Sequence, residues 1–266
     1  MAKVSLTKAC GGMALVLATG LLAACGWFGG KDENDTYVEQ PVDVLYNRAL
    51  DDLGQQDYKH AAKEFEEVDR QHPYSVWATK AEIMAAFTYY QSNKYDDALI
   101  ALDRFIQLHP GHKDIPYAYY LKALCYYEQI SDVGRDQAMT QKALDALSDV
   151  AKRFPDTTYA RDARLKVELT IDHLAGKEMD IGRFYQKKQQ YVGAINRYRT
   201  VIERYQTTTH VPEALHRLVE CYLALGVKSE AKETAAVLGF NFPGSDWYAD
   251  SYFLMTGEDY RFDSSR

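Results

Sequence analysis

The chain has 266 residues, with 31 lysines and arginines against 38 aspartates and glutamates, a formal net charge of −7. An acidic balance argues against nucleic acid as a partner, since a polyanion needs a basic face. Tyrosine is the unusual residue, with 21 copies, and all of them lie beyond position 36.

The first predicted element is not part of the fold. Residues 1–24 carry Lys3 and Lys8, then an apolar run from Ala14 to Ala24 that is too short to be read as a membrane span. This is the pattern of a secretory signal peptide. Its end reads Leu22-Ala23-Ala24-Cys25-Gly26. Small residues before a cysteine resemble the bacterial lipobox, in which cleavage leaves the cysteine as a lipidated N-terminus. In such signals an aspartate after the cysteine retains the protein at the inner membrane. Gly26 in that place points to the outer membrane instead. The expectation is a lipoprotein anchored at Cys25, palmitate among its acyl chains, on the periplasmic face of the outer membrane; several chains hold far better than one. Cleavage leaves 29 basic against 38 acidic residues, a net −9. Of the four cysteines, Cys10 leaves with the signal and Cys25 takes the lipid. Cys125 and Cys221 fall on first helices two repeats apart, beyond disulfide reach, and read as buried free thiols.

Residues 25–40 read as a flexible tether, with Gly29-Gly30-Lys31-Asp32-Glu33-Asn34-Asp35 lacking any apolar period. Pro41 opens the first helix. From there five alanines set a frame: Ala61, Ala98, Ala143, Ala194 and Ala231. Twelve residues on stand Pro73, Pro110, Pro155, Gln206 and Pro243, and seven on stand Val68, Phe105, Val150, Val201 and Leu238. This is the second helix of a tetratricopeptide-type pair: a small residue for close packing, then an apolar one, then a stop. The predicted fold is all-α, a tetratricopeptide-like solenoid of five helix pairs with a C-terminal capping helix. Turn signals fall at Gly54-Gln55-Gln56-Asp57, Ser92-Asn93-Lys94 and Gly226-Val227-Lys228. Residues 41–157 hold repeats one to three, the third broken by an insertion through Ile130-Ser131-Asp132-Val133-Gly134-Arg135-Asp136. Residues 158–257 hold a long linking helix that runs through Gly176, then repeats four and five, then a cap opened by Ser245 or Asp246 and ended by Gly257. Residues 258–266 are a tail.

A solenoid presents surface for binding rather than a cleft for chemistry. No phosphate loop or nucleophile elbow is present. His72 and His109 precede prolines, which a turn role explains, and His109 and His112 lack carboxylate or cysteine partners at metal-ligand spacing. The carboxylate pairs Asp51-Asp52, Glu66-Glu67 and Asp96-Asp97 read as a solvated face. No enzyme activity, metal or cofactor is expected.

In the tetratricopeptide architecture that the repeats resemble, the second, fifth, ninth and twelfth residues of each first helix line a concave groove. The alanine frame then gives Asp43, Tyr46, Leu50 and Leu53; Lys80, Ile83, Phe87 and Tyr90; Tyr117, Tyr120, Leu124 and Tyr127; Gly176, Met179, Arg183 and Gln186; and Glu213, His216, Glu220 and Leu223. The amino-terminal half is aromatic and apolar, the carboxy-terminal half polar and charged. An aromatic stripe at helical spacing is either core or a groove for an extended peptide, and both readings stand here. The candidate groove is Tyr46, Leu50, Ile83, Phe87, Tyr90, Tyr117, Tyr120 and Tyr127.

Lipobox, short tether and five repeats together resemble the BamD family of outer-membrane assembly lipoproteins, the competence lipoproteins of older usage. The most specific run spans residues 103–117 and contains Leu108-His109-Pro110-Gly111-His112-Lys113-Asp114-Ile115-Pro116-Tyr117. Two others are Phe154-Pro155-Asp156-Thr157-Thr158-Tyr159-Ala160-Arg161-Asp162-Ala163 and Tyr191-Val192-Gly193-Ala194-Ile195-Asn196-Arg197. The departures are a shorter third-repeat insertion, Gln206 in place of proline, and a longer carboxy-terminal end. The resemblance implies a scaffold that helps fold and insert β-barrel proteins into the outer membrane. It also implies binding to the periplasmic POTRA domains of BamA through the carboxy-terminal repeats, with Asn196 and Arg197 as the docking candidates. Unfolded barrel substrates would be received on the amino-terminal repeats, and other Bam lipoproteins are further candidate partners. Two alternatives fit the sequence less well. A periplasmic repeat scaffold coordinating cell-wall synthesis or envelope constriction usually begins with a coiled coil, and no sustained heptad precedes the first repeat. An enzyme with accessory repeats needs a further domain, for which the span from Cys25 to Arg266 leaves no room.

Overall fold

The computed structural model describes residues 39–259. The expected signal peptide of residues 1–24, Cys25 with the expected tether as far as residue 38, and the tail from residue 260 lie outside the described residues. Among the described residues the chain is helical throughout. The helices are α1 (Val42–Gly54), α2 (Tyr58–Gln71), α3 (Val76–Gln91), α4 (Tyr95–Leu108), α5 (Ile115–Tyr127) and α6 (Ala138–Arg153). They continue as α7 (Thr158–Lys187), α8 (Tyr191–Arg204), α9 (Val211–Ala224), α10 (Lys228–Asn241) and α11 (Asp246–Thr256). Each of α1 to α10 packs chiefly on its neighbours in sequence and α11 chiefly on α9, and first helices also stack, α1 on α3, α3 on α5 and α5 on α7. That is the contact pattern of a solenoid.

The alanine frame is the core. Ala61, Ala98, Ala143, Ala194 and Ala231 are all 0% exposed, as are Val68, Phe105, Val150, Val201 and Leu238. The turn inside each pair explains its sequence. Gln56, Asn93, Gln189 and Gly226 all take left-handed backbone, with φ of 62°, 58°, 60° and 76°. The next residue then returns its N–H to a carbonyl five back: Asp57 to Asp52, Lys94 to Tyr89, Gln190 to Tyr185 and Val227 to Tyr222. This Schellman closure satisfies carbonyls the helix end leaves open. The third pair has no such turn. Gln129, the residue in the corresponding place, does not take left-handed backbone; its N–H and that of Ile130 reach only three back, to Tyr126 and Tyr127, and the inserted residues follow.

Between pairs a second turn repeats. His72, His109, Phe154, Tyr205 and Phe242 end α2, α4, α6, α8 and α10 with φ between −135° and −125°. A following proline favours that extended φ, yet Tyr205 adopts it before Gln206. There Thr208 donates its N–H to Tyr205 O at 3.1 Å, as Thr157 does to Phe154 O. The turn's own hydrogen bond suffices without the ring.

The long helix is one 30-residue element, α7, capped by the Thr157 hydroxyl, which accepts the Ala160 N–H. Gly176 lies inside it without breaking it. A Cβ there would meet His210 Nε2 at 3.3 Å and Val133 at 3.6 Å, so the glycine admits both the insertion loop and the turn before α9. Ser245 caps α11 by accepting the Trp247 N–H, and Gly257 ends it at φ 76°. Cys125 and Cys221 are buried and unbonded, as expected.

At the α7–α8 crossing, a Cβ on Gly182 would sit 2.4 Å from the ring of Tyr198, which is fully buried. Gly182→Ala is therefore expected to lower the melting temperature by about 5 °C, since overpacking costs about 1–3 kcal/mol and each is worth roughly 2–4 °C in a chain of this size. Gly54→Ala, whose Cβ would have no neighbour within 4 Å, is the control in the same circular-dichroism melt and should not fall.

Candidate binding surface

In the amino-terminal half, Phe87 and Tyr90 of α3 and Tyr117, Tyr120 and Tyr127 of α5 are all half-buried, with ring surface left open. Leu50 on α1 is exposed. The rings of Tyr117 and Tyr120 lie against Tyr159 of α7, with centroids 5.6 Å and 5.3 Å apart. The Tyr120 hydroxyl donates to the Asp162 carboxylate. Lys166 closes on the same carboxylate at 3.1 Å and holds its ammonium 5.4 Å from the centre of the Tyr127 ring. The Tyr90 hydroxyl donates to Glu128 at 3.4 Å. These brackets fix ring directions.

Burial, and then the negative Glu128, push the Tyr90 phenol up to about 12. Burial and the neighbouring Tyr159 do the same for Tyr117, to about 12. Tyr120 is raised by burial and by its bond to Asp162. All three remain neutral hydrogen-bond donors at any physiological pH.

Two residues of the expected groove are instead core. Tyr46 is 9% exposed, wedged between Phe65 and Trp77 at centroid distances of 5.5 Å and 4.9 Å. Ile83 is 6% exposed and packs in the cluster shared by α3, α4 and α5. Stacking one first helix on the next closes the seam positions, so only the positions facing away from that seam stay open. The same seam buries Met179 and His216 in the other half.

The surface also includes residues not expected from the sequence. Leu165 and Leu169 of α7 are 64% and 61% exposed. They share a helix face with Asp162 and Lys166, which touch Tyr120 and Tyr127. The 45-residue step from Pro110 to Pro155 carries the α5 register onto Asp162, Leu165 and Leu169 as the counterparts of Tyr117, Tyr120 and Leu124. That step was the available signal.

The carboxy-terminal half is an ionic lattice. Arg183 reaches Glu213 at 3.2 Å, and Arg217 reaches Glu213 at 3.4 Å and Glu220 at 2.8 Å. Gln186 donates to Glu220 at 2.8 Å and accepts from the Tyr198 hydroxyl at 2.7 Å. His216 shares a 2.8 Å hydrogen bond with the fully buried Ser251 of α11 and lies 3.5 Å from Glu220. Of the docking candidates, Asn196 is exposed on α8, while Arg197 pairs with Glu178 of α7 at 3.1 Å. His109 has a carboxylate partner after all: Glu82 of α3 at 2.9 Å, supplied by folding rather than by sequence spacing.

Burial alone would raise the Glu220 carboxyl, but bonds from His216, Arg217 and Gln186 outweigh it and hold the group at about 2. A folded pKa below the unfolded 4.5 adds stability that is fully present above about pH 4.5 and is lost as pH falls towards 2. Glu220→Gln is therefore expected to cost about 2–3 kcal/mol at pH 7. Denaturant titrations at pH 7 and pH 3 check this, with the gap between wild type and variant narrowing at the lower pH.

Residues 38–238 match the family described as outer membrane lipoprotein, YfiO. The outer membrane protein assembly factor BamD of Caulobacter vibrioides is 50% identical over 251 residues, covering 94% of this chain and 81% of that one. The BamD of Rickettsia prowazekii is 49% identical over 225 residues, covering 85% and 89%. That of Neisseria meningitidis serogroup A is 33% identical over 251 residues, covering 90% and 94%. With its helical-repeat fold and these matches along nearly its whole length, the chain belongs to the BamD family of outer membrane lipoproteins.

Proposed function

We propose that this protein is a lipid-anchored scaffold of the β-barrel assembly machinery, facing the periplasm, with two working surfaces. The amino-terminal first helices receive an extended segment of an unfolded barrel protein. The carboxy-terminal repeats, with Asn196 and Arg197, dock the POTRA domains of BamA. The observation that carries the reading is the split of the first-helix surface. Half-buried phenyl and phenol rings occupy α3 and α5, and a hydrogen-bonded ionic lattice occupies α7 and α9. An extended strand places alternate side chains on one face, and rings fixed by Asp162, Glu128 and Tyr159 suit aromatic members of that row. Arg197 offers a guanidinium already oriented by Glu178, a group that forms charge-assisted pairs with carboxylates.

The test of the substrate surface is binding of a peptide with alternating aromatic residues, followed by fluorescence anisotropy. Replacing Phe87 and Tyr120 by alanine is expected to weaken it at least about tenfold, since aromatic hot spots cost about 2 kcal/mol or more. Helical circular dichroism should be retained. A folded double variant that binds normally would place the substrate elsewhere.

Anchoring at Cys25 is tested by membrane fractionation. Cys25→Ser is expected to leave the protein soluble or unprocessed, whereas wild type floats with outer membrane. Wild-type protein recovered without lipid from the periplasm would remove the anchor from the reading.

A further inference from the structure

The second helices carry an opening that the proposed function does not use. Between α8 and α10, with α9 as its floor, lies a groove of about 370 Å³. Leu215, Leu218 and Tyr222 form the floor, and Ile202 and Val237 the apolar walls. Both leucines are nearly buried, while Val237 is 47% exposed. Phe240 follows on the same stripe of α10, one turn on, and is 86% exposed. A phenylalanine so open beside an apolar groove marks an interaction surface more than a packing position.

The rim is acidic. Glu203, Glu230 and Glu233 line it against one cation, Arg199, which pairs with Glu203 at 3.3 Å. Among the described residues neither Glu230 nor Glu233 forms a salt bridge. Among described side chains, Glu230 accepts only from the Ser229 hydroxyl, so an apolar floor lies beside two carboxylates that no cation pairs, which matches one kind of ligand. We propose that this groove docks a partner protein segment that is apolar along one face and flanked by lysines or arginines.

The surface is separate from the Arg197 site. Successive helical residues turn by about 100°, so Arg199, Ile202 and Glu203 project from the side of α8 opposite Arg197. The contacts agree, with Arg197 meeting Glu178 of α7 and the groove residues facing α9 and α10. Both sites can be occupied at once.

The test uses the full chain and two helical peptides, one with a leucine stripe flanked by lysines and a twin with glutamate for each lysine. The lysine peptide is expected to bind at least about tenfold more tightly than its twin, increasingly so at low salt. Val237→Asp combined with Glu233→Lys should weaken the lysine peptide about tenfold or more. The single exposed change Glu233→Lys, which leaves the apolar floor intact, should narrow the preference between the twins. Binding of BamA POTRA domains by the same variants should be unchanged. Equal binding of the two peptides, no binding of either, or indifference to both variants would overturn the proposal. Loss of POTRA binding would overturn the separation of the two sites. Self-association abolished by Glu233→Lys would assign the groove to a second copy of the chain. Tighter peptide binding after deletion of residues 260–266 would assign it to the chain's own tail. Either result replaces the proposed occupant.

Discussion

Every other feature of this solenoid depends on how closely its helices cross. The crossings occur where the chain has alanine or glycine: five alanines with no exposed surface, Gly182 beneath the ring of Tyr198, and Gly239 beneath that of Tyr248. Small residues let the axes approach to the short end of the usual 8–10 Å range. At that spacing the residue seven positions on, an aliphatic or Phe105, is carried into the same seam and sealed. Close crossing also demands a tight reversal, which is why the turns need a left-handed residue and a Schellman closure. The two non-glycine residue types that carry it, asparagine and glutamine, accept a conformational cost that the repeated packing offsets.

The first-helix surface is what remains once that packing is satisfied, and this governs how much of it was legible in advance. Alanine spacing located each helix pair, short polar and glycine clusters the turns, and a 3.6-residue apolar period the long helix, because those features follow from local sequence. Gln206 was legible as a departure, although its harmlessness was not: that depends on the Thr208 to Tyr205 hydrogen bond, a matter of backbone geometry. Tyr46 and Ile83 occupy positions that periodicity assigns to the groove. Their burial is decided by the neighbouring helix, through Trp77 in one case and the α3–α5 cluster in the other. Conversely, Leu165 and Leu169 were missed because the insertion changes the repeat step, so a frame counted back from Ala194 does not reach them. The pairing of His109 with Glu82 joins residues 27 apart, which no spacing rule announces.

The two halves of the surface present ordered side chains to solvent in different ways. In the amino-terminal half, the Tyr120 and Tyr90 hydroxyls are engaged at the edge, by Asp162 and Glu128, while the ring faces stay partly open. Contact with an apolar side chain there displaces water from a face whose hydrogen bonds are already made, so little desolvation opposes it. In the carboxy-terminal half, Glu213 and Glu220 each accept from more than one donor, which fixes the guanidinium groups of Arg183 and Arg217. A charged surface with little rotamer freedom loses little entropy on docking, and complementary charge contributes more to partner choice than to raw affinity.

Joining these halves through α7 is the consequence of the irregular third repeat. Without a left-handed turn after α5, the chain inserts residues 130–137 before α6, and the next first helix begins at Thr158. Instead of turning back after about four helical turns, α7 continues for 30 residues, some 45 Å. Its beginning packs on α5 and α6 and its end on α8, so one helix serves as the first helix for two successive neighbours. The insertion loop then lies along it, with Ser131 O held by His173 Nε2 at 2.8 Å and Gly134 O by Lys177 at 3.1 Å. From the other side Asp172 binds Thr209 and faces His210. Gly176 lies between these two clasps, and its missing side chain leaves room there for Val133 from one segment and His210 from the other. The aromatic surface of α3 and α5 and the ionic lattice of α7 and α9 are thus joined through a single hydrogen-bonded rod, held near its midpoint by loops from both halves.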